Sequence, residues 1–243
     1  MFLDEFHTSA DGAIRVTAQQ ASRFAKEIAG DYNPIHDPDA KRFCVPGDLL
    51  FALVLTTYGL SERMVFSFRG MVGEGVALQL PRNPGDAFDI TDDTGKLYLH
   101  VERSGKITSD DAVIEAFIRR YVAFSGQNFP HFLQPLMATK NVMFNPDRPL
   151  VIYDSMDFEL RRLNALEQEM VLSDAVLDVN GKRGDAQLSF TLTSGGEDIG
   201  IGSKKLVISG LREYDEARMQ DVVEEFYRRK ESYGRQEDAR KVV

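Results

Sequence analysis

The chain has 243 residues, 43% hydrophobic and 28% charged, which are ordinary globular proportions and enough for one large domain or two of roughly 120 residues. A net charge of −9 sets the average surface against a polyanion and excludes nucleic acid as the expected partner. A lone cysteine, Cys44, excludes an internal disulfide and fits a reducing, cytoplasmic setting, and the longest apolar run, Leu49–Leu55, is far short of the roughly 20 residues a membrane span needs.

The N-terminal "MFLDEFHTSADG" carries acids rather than a basic stretch before an apolar core, so no leader is expected there. Ile14 and Val16 alternate in a short strand signal. Thr17, with Gln20 three residues on, forms a capping box. Ala21, Phe24, Ala25 and Ile28 then follow at helical spacing, and Gly30 stops the helix. A polar loop opens there, and Asn33-Pro34 marks a turn.

Pro46-Gly47-Asp48 begins a second helix, "LLFALVLTTYGL", apolar nearly all round as a helix buried on every side must be. Asp48 complements the helix dipole and is expected to point outward. Gly59 ends the helix. β-Structure is expected around it: "RMVFSFRGMV", then "LPRNPGDAFDI" as an edge strand because Pro81 and Pro84 would each remove a ladder donor. Leu97, Leu99 and Val101 alternate in a strand, a loop falls near residues 104–111, and Val113–Phe124 reads as another strand.

The second half repeats this rhythm loosely. "PHFLQPLMA" is a broken apolar segment, and "LVIYDSMDFELRRL" is strand-like. The stretch from Asp178 to Ser209 reads as a turn and further strands. Gly30 and Gly126, and Pro34 and Pro130, stand at one common offset, which makes "RYVAFSGQNFPHF" an echo of "RFAKEIAGDYNPIH" and suggests an internal duplication. Residues 213–233 close the chain as a helix with a stripe of Met219, Val222, Val223 and Phe226, packed on its own domain or on a second copy in a homodimer. The tail "GRQEDARKVV" is expected to fray. The expected units are 1–125, a degenerate second unit 126–212, and the helix and tail 213–243.

The loop after Gly30 carries the chemistry. A turn between Asp31 and His36 can bring a carboxylate and an imidazole to one side, where together they can grip a water; Asn33 can hold the loop in shape. The same residues also suit a purely structural turn. His7, His36, His100 and His131 are scattered without metal-ligand spacing, and no phosphate-binding glycine loop is present, so no metal or separate cofactor is expected.

"FAKEIAGDYNPIHDPDA", Phe24 to Ala40, resembles the hydratase motif of the MaoC-like family, the (R)-specific enoyl-CoA hydratases. The match covers the aromatic residue, Gly30-Asp31-x-Asn33-Pro34-Ile35-His36 and Ala40. The resemblance implies an α+β hot-dog fold, a long central helix wrapped by an antiparallel sheet, here doubled with a degenerate second half and the two sheets side by side. It implies that Asp31 and His36 hold the hydrating water and that Asn33 is the motif amide. The backbone N–H at Gly47 would polarise the thioester carbonyl. The substrate would be an acyl thioester, with CoA or acyl carrier protein as part of it. Pro34, Ile35, Leu50, Val54 and Thr56 are the expected substrate-lining residues. Asp48 stands where the family's pattern has none, Thr56 falls beside rather than on the position of a hydroxyl common in the family, and Gln127 stands where a second Asp31 would be. Hydratase, non-catalytic acyl-thioester binder and thioesterase therefore all remain open from the sequence. Arg42, Arg69 and Arg103 are candidate neighbours of a carrier's phosphates, and equally solvated surface.

Overall fold

The computed structural model describes residues 2–241, with side chains through Arg235. The first strands, β1 (Thr8–Ala10) and β2 (Ala13–Arg15), form a hairpin. Helix α1 (Ala18–Arg23) starts at the expected capping box: Gln20 N donates to Thr17 Oγ1 at 3.2 Å and Thr17 N donates to Gln20 Oε1 at 3.0 Å. It continues as a π-helical segment, Phe24–Ala29, and ends at Gly30, whose φ of 67° is the left-handed conformation that glycine adopts without strain.

Helix α2 (Gly47–Tyr58) is buried from Asp48 to Leu55, as its uniformly apolar sequence requires. Strands β3 (Leu60–Phe68), β4 (Leu78–Gln79), β5 (Ala87–Thr91) and β6 (Leu97–Thr108) follow. Pro81 and Pro84 lie in the connection between β4 and β5, where neither removes a ladder donor; neither strand is at the edge of the sheet, contrary to expectation. Strand β6 also runs through most of the expected 104–111 loop.

The largest correction concerns Val113–Phe124. It is not a strand but the body of helix α3 (Asp111–Gly126). Asp110 caps it, its carboxylate accepting from the amides of Ala112 and Val113. Val113, Ile114, Phe117, Ile118, Tyr121 and Val122 are buried along one stripe, with Glu115, Arg119 and Arg120 on the other side. The expected unit boundary at 125/126 falls inside this helix.

The broken apolar segment forms two short helices, α4 (Asn128–His131) and α5 (Leu133–Thr139), followed by β7 (Val142–Met143). Four long strands complete the sheet: β8 (Val151–Leu160), β9 (Glu169–Asn180), β10 (Arg183–Ser194) and β11 (Glu197–Ser209). Strand β12 (Arg212–Glu213) pairs with β7. Helix α6 runs from Glu216 to Lys241, so the backbone stays helical through most of the segment expected to fray; Val242 and Val243 lie outside the described residues.

The sheet has ten strands in the order β1-β2-β4-β5-β6-β3-β8-β11-β10-β9, antiparallel throughout. Outward from the β3–β8 seam the first half runs β3-β6-β5-β4 and the second runs β8-β11-β10-β9. This is one topology used twice, a double hot-dog arrangement with its sheets fused side by side. Helices α2 and α3 lie on the sheet's inner face. Phe51 of α2 meets Phe66 of β3 at 5.1 Å and Tyr121 of α3 at 4.6 Å, while Phe117 of α3 meets Phe158 of β8 at 4.9 Å. These edge-on and tilted rings join both halves in one core. A second, smaller core gathers Leu133 and Met137 of α5 with Leu177, Leu188, Leu206 and Ile208 of the strands and Met219 of α6.

Besides the β3–β8 seam, the end of α3 packs closely against the end of the π-helical segment. A Cβ on Gly126 would lie 1.9 Å from the carbonyl oxygen of Ala29, a backbone atom that cannot swing away. Gly126→Ala is therefore expected to destabilise the protein by about 3 kcal/mol or more, the upper range for overpacking. Urea unfolding measures this, and a loss below about 0.5 kcal/mol would contradict the close approach.

Candidate active site

The loop from Gly30 to His36 is shaped by its own polar side chains. Asp31 Oδ1 accepts from the amide of Asn33 at 2.8 Å, and Asn33 Oδ1 accepts from the amide of Ile35 at 3.1 Å, capping the 3₁₀ turn Pro34–His36. Pro34 supplies the first residue of that turn with its fixed φ. Asn33 thus keeps the loop in shape. Asp31 has one oxygen committed to the backbone and the other, Oδ2, free to face His36 Nε2 at 3.5 Å.

The imidazole is fixed from its far side. His36 Nδ1 lies 2.6 Å from the carbonyl oxygen of Cys44, an atom that can only accept, so Nδ1 carries the hydrogen and Nε2 is left for chemistry. The Ile35 carbonyl accepts from the Cys44 amide at 3.1 Å, holding the two segments together. From outside, Asp37 is clamped by Lys26 of the π-helical segment at 2.7 Å and by Arg229 of α6 at 2.6 Å, and Tyr32 packs edge-on against Phe226 of α6 at 5.7 Å. Burial pushes the Cys44 thiol up to about 11, so it is an inert neighbour.

Burial alone would push the Asp31 carboxyl up and the His36 imidazole down. Their mutual hydrogen bond and charge outweigh this in both. Asp31 ends below its ordinary value and His36 above 6.5, helped by the Cys44 carbonyl. The imidazolium is therefore retained to higher pH than in a free histidine, and raising the pH through this elevated value leaves Nε2 with a lone pair beside the carboxylate.

Opposite the pair stands the start of α2. The amides of Leu49 and Leu50 turn back to the Pro46 carbonyl, while those of Gly47 and Asp48 have no intrahelical acceptor. A Cβ at Gly47 would meet Tyr153 at 2.9 Å and Phe68 at 3.1 Å, so glycine lets these two rings close against the helix end. Asp48 does not point outward as expected. It is buried against the second half of the chain, where Oδ2 accepts from Ser125 Oγ at 2.6 Å, and Ser125 accepts in turn from Lys204 Nζ. The Lys204 ammonium also sits 4.0 Å from the centre of the Tyr153 ring. The Tyr153 hydroxyl is hydrogen-bonded to that of Tyr121. Burial raises Asp48 against the opposing pull of Lys204 and Ser125. Burial likewise lowers Lys204 against the attraction of Asp48 and Asp31.

Asp31, His36, Gly47, Asp48, Ser125, Tyr153 and Lys204 all line one cavity of about 610 Å³. Of the site residues named from the sequence, Asp31, Asn33, Pro34, Ile35, His36, Gly47 and Leu50 line it. Two expected residues do not. Val54 is packed in the core, and Thr56 turns its hydroxyl back to the Ala52 carbonyl at 2.7 Å. Of the arginines considered, Arg69 borders the cavity, whereas Arg103 is tied to the carbonyls of Tyr58, Pro84 and Gly85 away from it. Sequence reasoning missed Ser125, Lys204, Tyr153, Phe226 and Arg229. One signal for Lys204 was present: it shares the strand phase of Leu206 and Ile208, where an amine is out of place. Among the described residues no group of His, Cys, Asp and Glu is arranged to hold a metal ion, and no helix is long and apolar enough to cross a membrane.

A family model described as "Protein of unknown function (DUF3581)" matches residues 1–217. The chain belongs to the DUF3581 family. No curated protein matches this DUF3581 sequence. Solved structures similar to it include an acyl-CoA thioesterase II, TesB2, from Mycobacterium marinum, at 10% identity, covering 89% of this chain and 99% of that one, with a TM-score of 0.43. A conserved protein of unknown function with a hot dog fold from Alicyclobacillus acidocaldarius is 10% identical over 86% of this chain and 97% of its own, at a TM-score of 0.47. A MaoC-like dehydratase is 10% identical over 83% and 97%, at 0.39.

Asp31→Asn removes both the charge and the acceptor that hold up the His36 pKa. The expected outcome is a fall in the His36 pKa, read by an NMR pH titration of its ring protons. An unchanged value would show that the pair is not coupled.

Proposed function

We propose that this protein adds water to a 2-enoyl thioester, or removes it in reverse, with the acyl group carried on CoA or acyl carrier protein. The observation that carries the reading is the Asp31–His36 pair, 3.5 Å apart and opening on the cavity beside the amino end of α2. At that separation one water oxygen fits within hydrogen-bond reach of both Oδ2 and Nε2. With His36 neutral, the carboxylate and the imidazole lone pair each accept a hydrogen of that water, and its oxygen turns an electron pair toward the β-carbon. The thioester carbonyl lies against the free amides of Gly47 and Asp48, where the positive end of α2 stabilises negative charge developing on oxygen. Removing a donor of this kind typically costs about 10²–10³ in rate.

The inward Asp48 would by itself oppose such an anion. Lys204 and Ser125 answer that objection, because the ammonium balances the carboxylate inside the same cavity wall. Leu50, Phe129, Leu133 and Leu206 give the cavity the apolar surface an acyl chain needs.

The test is steady-state hydration of crotonyl-CoA, followed by loss of its conjugated thioester absorbance. Asp31→Asn and His36→Ala are each expected to lower kcat by about 10²–10⁴-fold. The rate should rise with pH through the elevated His36 pKa, because the neutral ring is the active form. Release of free thiol in place of hydration would reassign the site to thioester hydrolysis. Tight acyl-CoA binding with neither reaction would make the protein a binder.

A further inference from the structure

Lys204 projects from β11 in the buried phase and is 3% exposed. Its Nζ donates to Ser125 Oγ, and Ser125 Oγ donates to Asp48 Oδ2. The three residues come from β11, α3 and α2, and all three line the cavity. Asp48 is only 7% exposed, yet its second oxygen, Oδ1, has no hydrogen-bond partner in the protein. A buried oxygen in that condition is costly unless something in the cavity engages it. The bonds run in one direction, amine to hydroxyl to carboxyl. Since Oδ2 already accepts, a proton on Asp48 belongs on Oδ1, the atom that the protein leaves free.

We infer that Asp48 exchanges the proton at the substrate's α-carbon, with Ser125 and Lys204 as the relay that resupplies it. This rests on the enoyl-thioester reading above and deepens it. In hydration, the water held by Asp31 and His36 forms a carbon–oxygen bond at the β-carbon and leaves one proton on that pair. The electrons of the broken carbon–carbon π bond move into an enolate, whose oxygen sits on the amides at the start of α2. The enolate collapses by taking the proton of Asp48 Oδ1 at the α-carbon. The Ser125 hydroxyl proton passes to Oδ2, and a Lys204 ammonium proton replaces it on Ser125. The protein has gained one proton at Asp31–His36 and lost one at Lys204, and solvent in the open cavity restores both. Dehydration runs the same steps backward, with Oδ1 receiving the α-proton.

The electrostatics suit this relay. Burial raises Asp48 and lowers Lys204, which brings donor and acceptor toward balance. The groups that face Asp48 are Lys204 and Ser125, the Asp31–His36 pair, and the hydroxyls of Tyr121 and Tyr153. Ser125 and Lys204 act through Asp48 and are positioning residues.

Two assays separate this assignment from the function it rests on. The first is crotonyl-CoA hydration. The second is deuterium uptake at C2 of butyryl-CoA in D₂O, by NMR; this saturated thioester has no double bond to hydrate and reports on α-proton exchange alone. Wild type is expected to do both, and Asp48→Asn, of unchanged melting temperature, to lose both by about a hundredfold or more with little change in KM. Lys204→Met removes the cation that holds Asp48 down, so the rising limb of the exchange–pH profile should move to higher pH, a shift that a merely structural lysine would not cause. Should Asp48→Asn fail to fold, Ser125→Ala, which leaves the carboxyl in place, is expected to slow exchange about tenfold. Exchange without hydration in wild type, lost in Asp48→Asn, would discard the hydratase reading and keep the Asp48 assignment. No exchange in wild type, an Asp48→Asn variant within threefold of wild type in either assay, or an unmoved profile in Lys204→Met would overturn the assignment.

Discussion

The contact between the end of α3 and the Ala29 carbonyl governs how the two halves of this protein can cooperate. At Gly126 no side chain of any size fits between them, because even a methyl group would overlap the carbonyl oxygen. This approach brings the loop that begins at Gly30 against the last turn of α3, so Ser125 and Asp31 border the same cavity although they are distant in sequence. The fused sheet supplies the other constraint. With β3 and β8 paired at the seam, β11 lies next to β8, and its buried phase delivers Lys204 beneath the start of α2. Neither half holds the whole constellation by itself.

This arrangement explains how the Asp31 carboxyl and His36 imidazole of one turn, the Lys204 ammonium of β11 and the Asp48 carboxyl of α2 coexist in one largely apolar cavity. Isolated buried charges are expensive, and each here has an opposite partner or a hydroxyl bridge. Asp31 has His36, and Asp48 has Lys204 through Ser125. Lys204 gains further support from the face of Tyr153, while Phe68 and Tyr153, tilted rings with centroids 4.4 Å apart, close the wall that Gly47 leaves open. The polarity of the site is therefore matched internally, and its net charge stays small despite the acidic chain around it.

Much of the first half could be read from local pattern. The Thr17–Gln20 box, the stripe of α1, the Gly30 stop and the all-round apolar α2 are each written within a single turn or two, and the structure places them as read. Helix α3 was misjudged because Val113, Tyr121, Val122 and Phe124 are good strand formers. The pairs at 113–114, 117–118 and 121–122 follow a helical period, with charges between them, and that period prevails over residue preference when one face is buried. At the site, Asp31, Asn33 and His36 were legible because they share one short turn. Val54 and Thr56 were misplaced because an apolar helix gives no hint of which face meets a cavity. The inward turn of Asp48 depends on Ser125 and Lys204, 77 and 156 residues away, and no local pattern encodes such partners.

The outer wall of the cavity comes from α6, which follows every other element in the chain. Arg229 reaches back to Asp37, and Phe226 meets Tyr32 and Phe129. In a chain that emerges from the ribosome amino end first, the strands of the sheet exist before this helix does, so the Asp31–His36 turn is braced only after α6 has been made. Loss of this helix would take Arg229 from Asp37 and Phe226 from Tyr32, and would open one side of the cavity to bulk water.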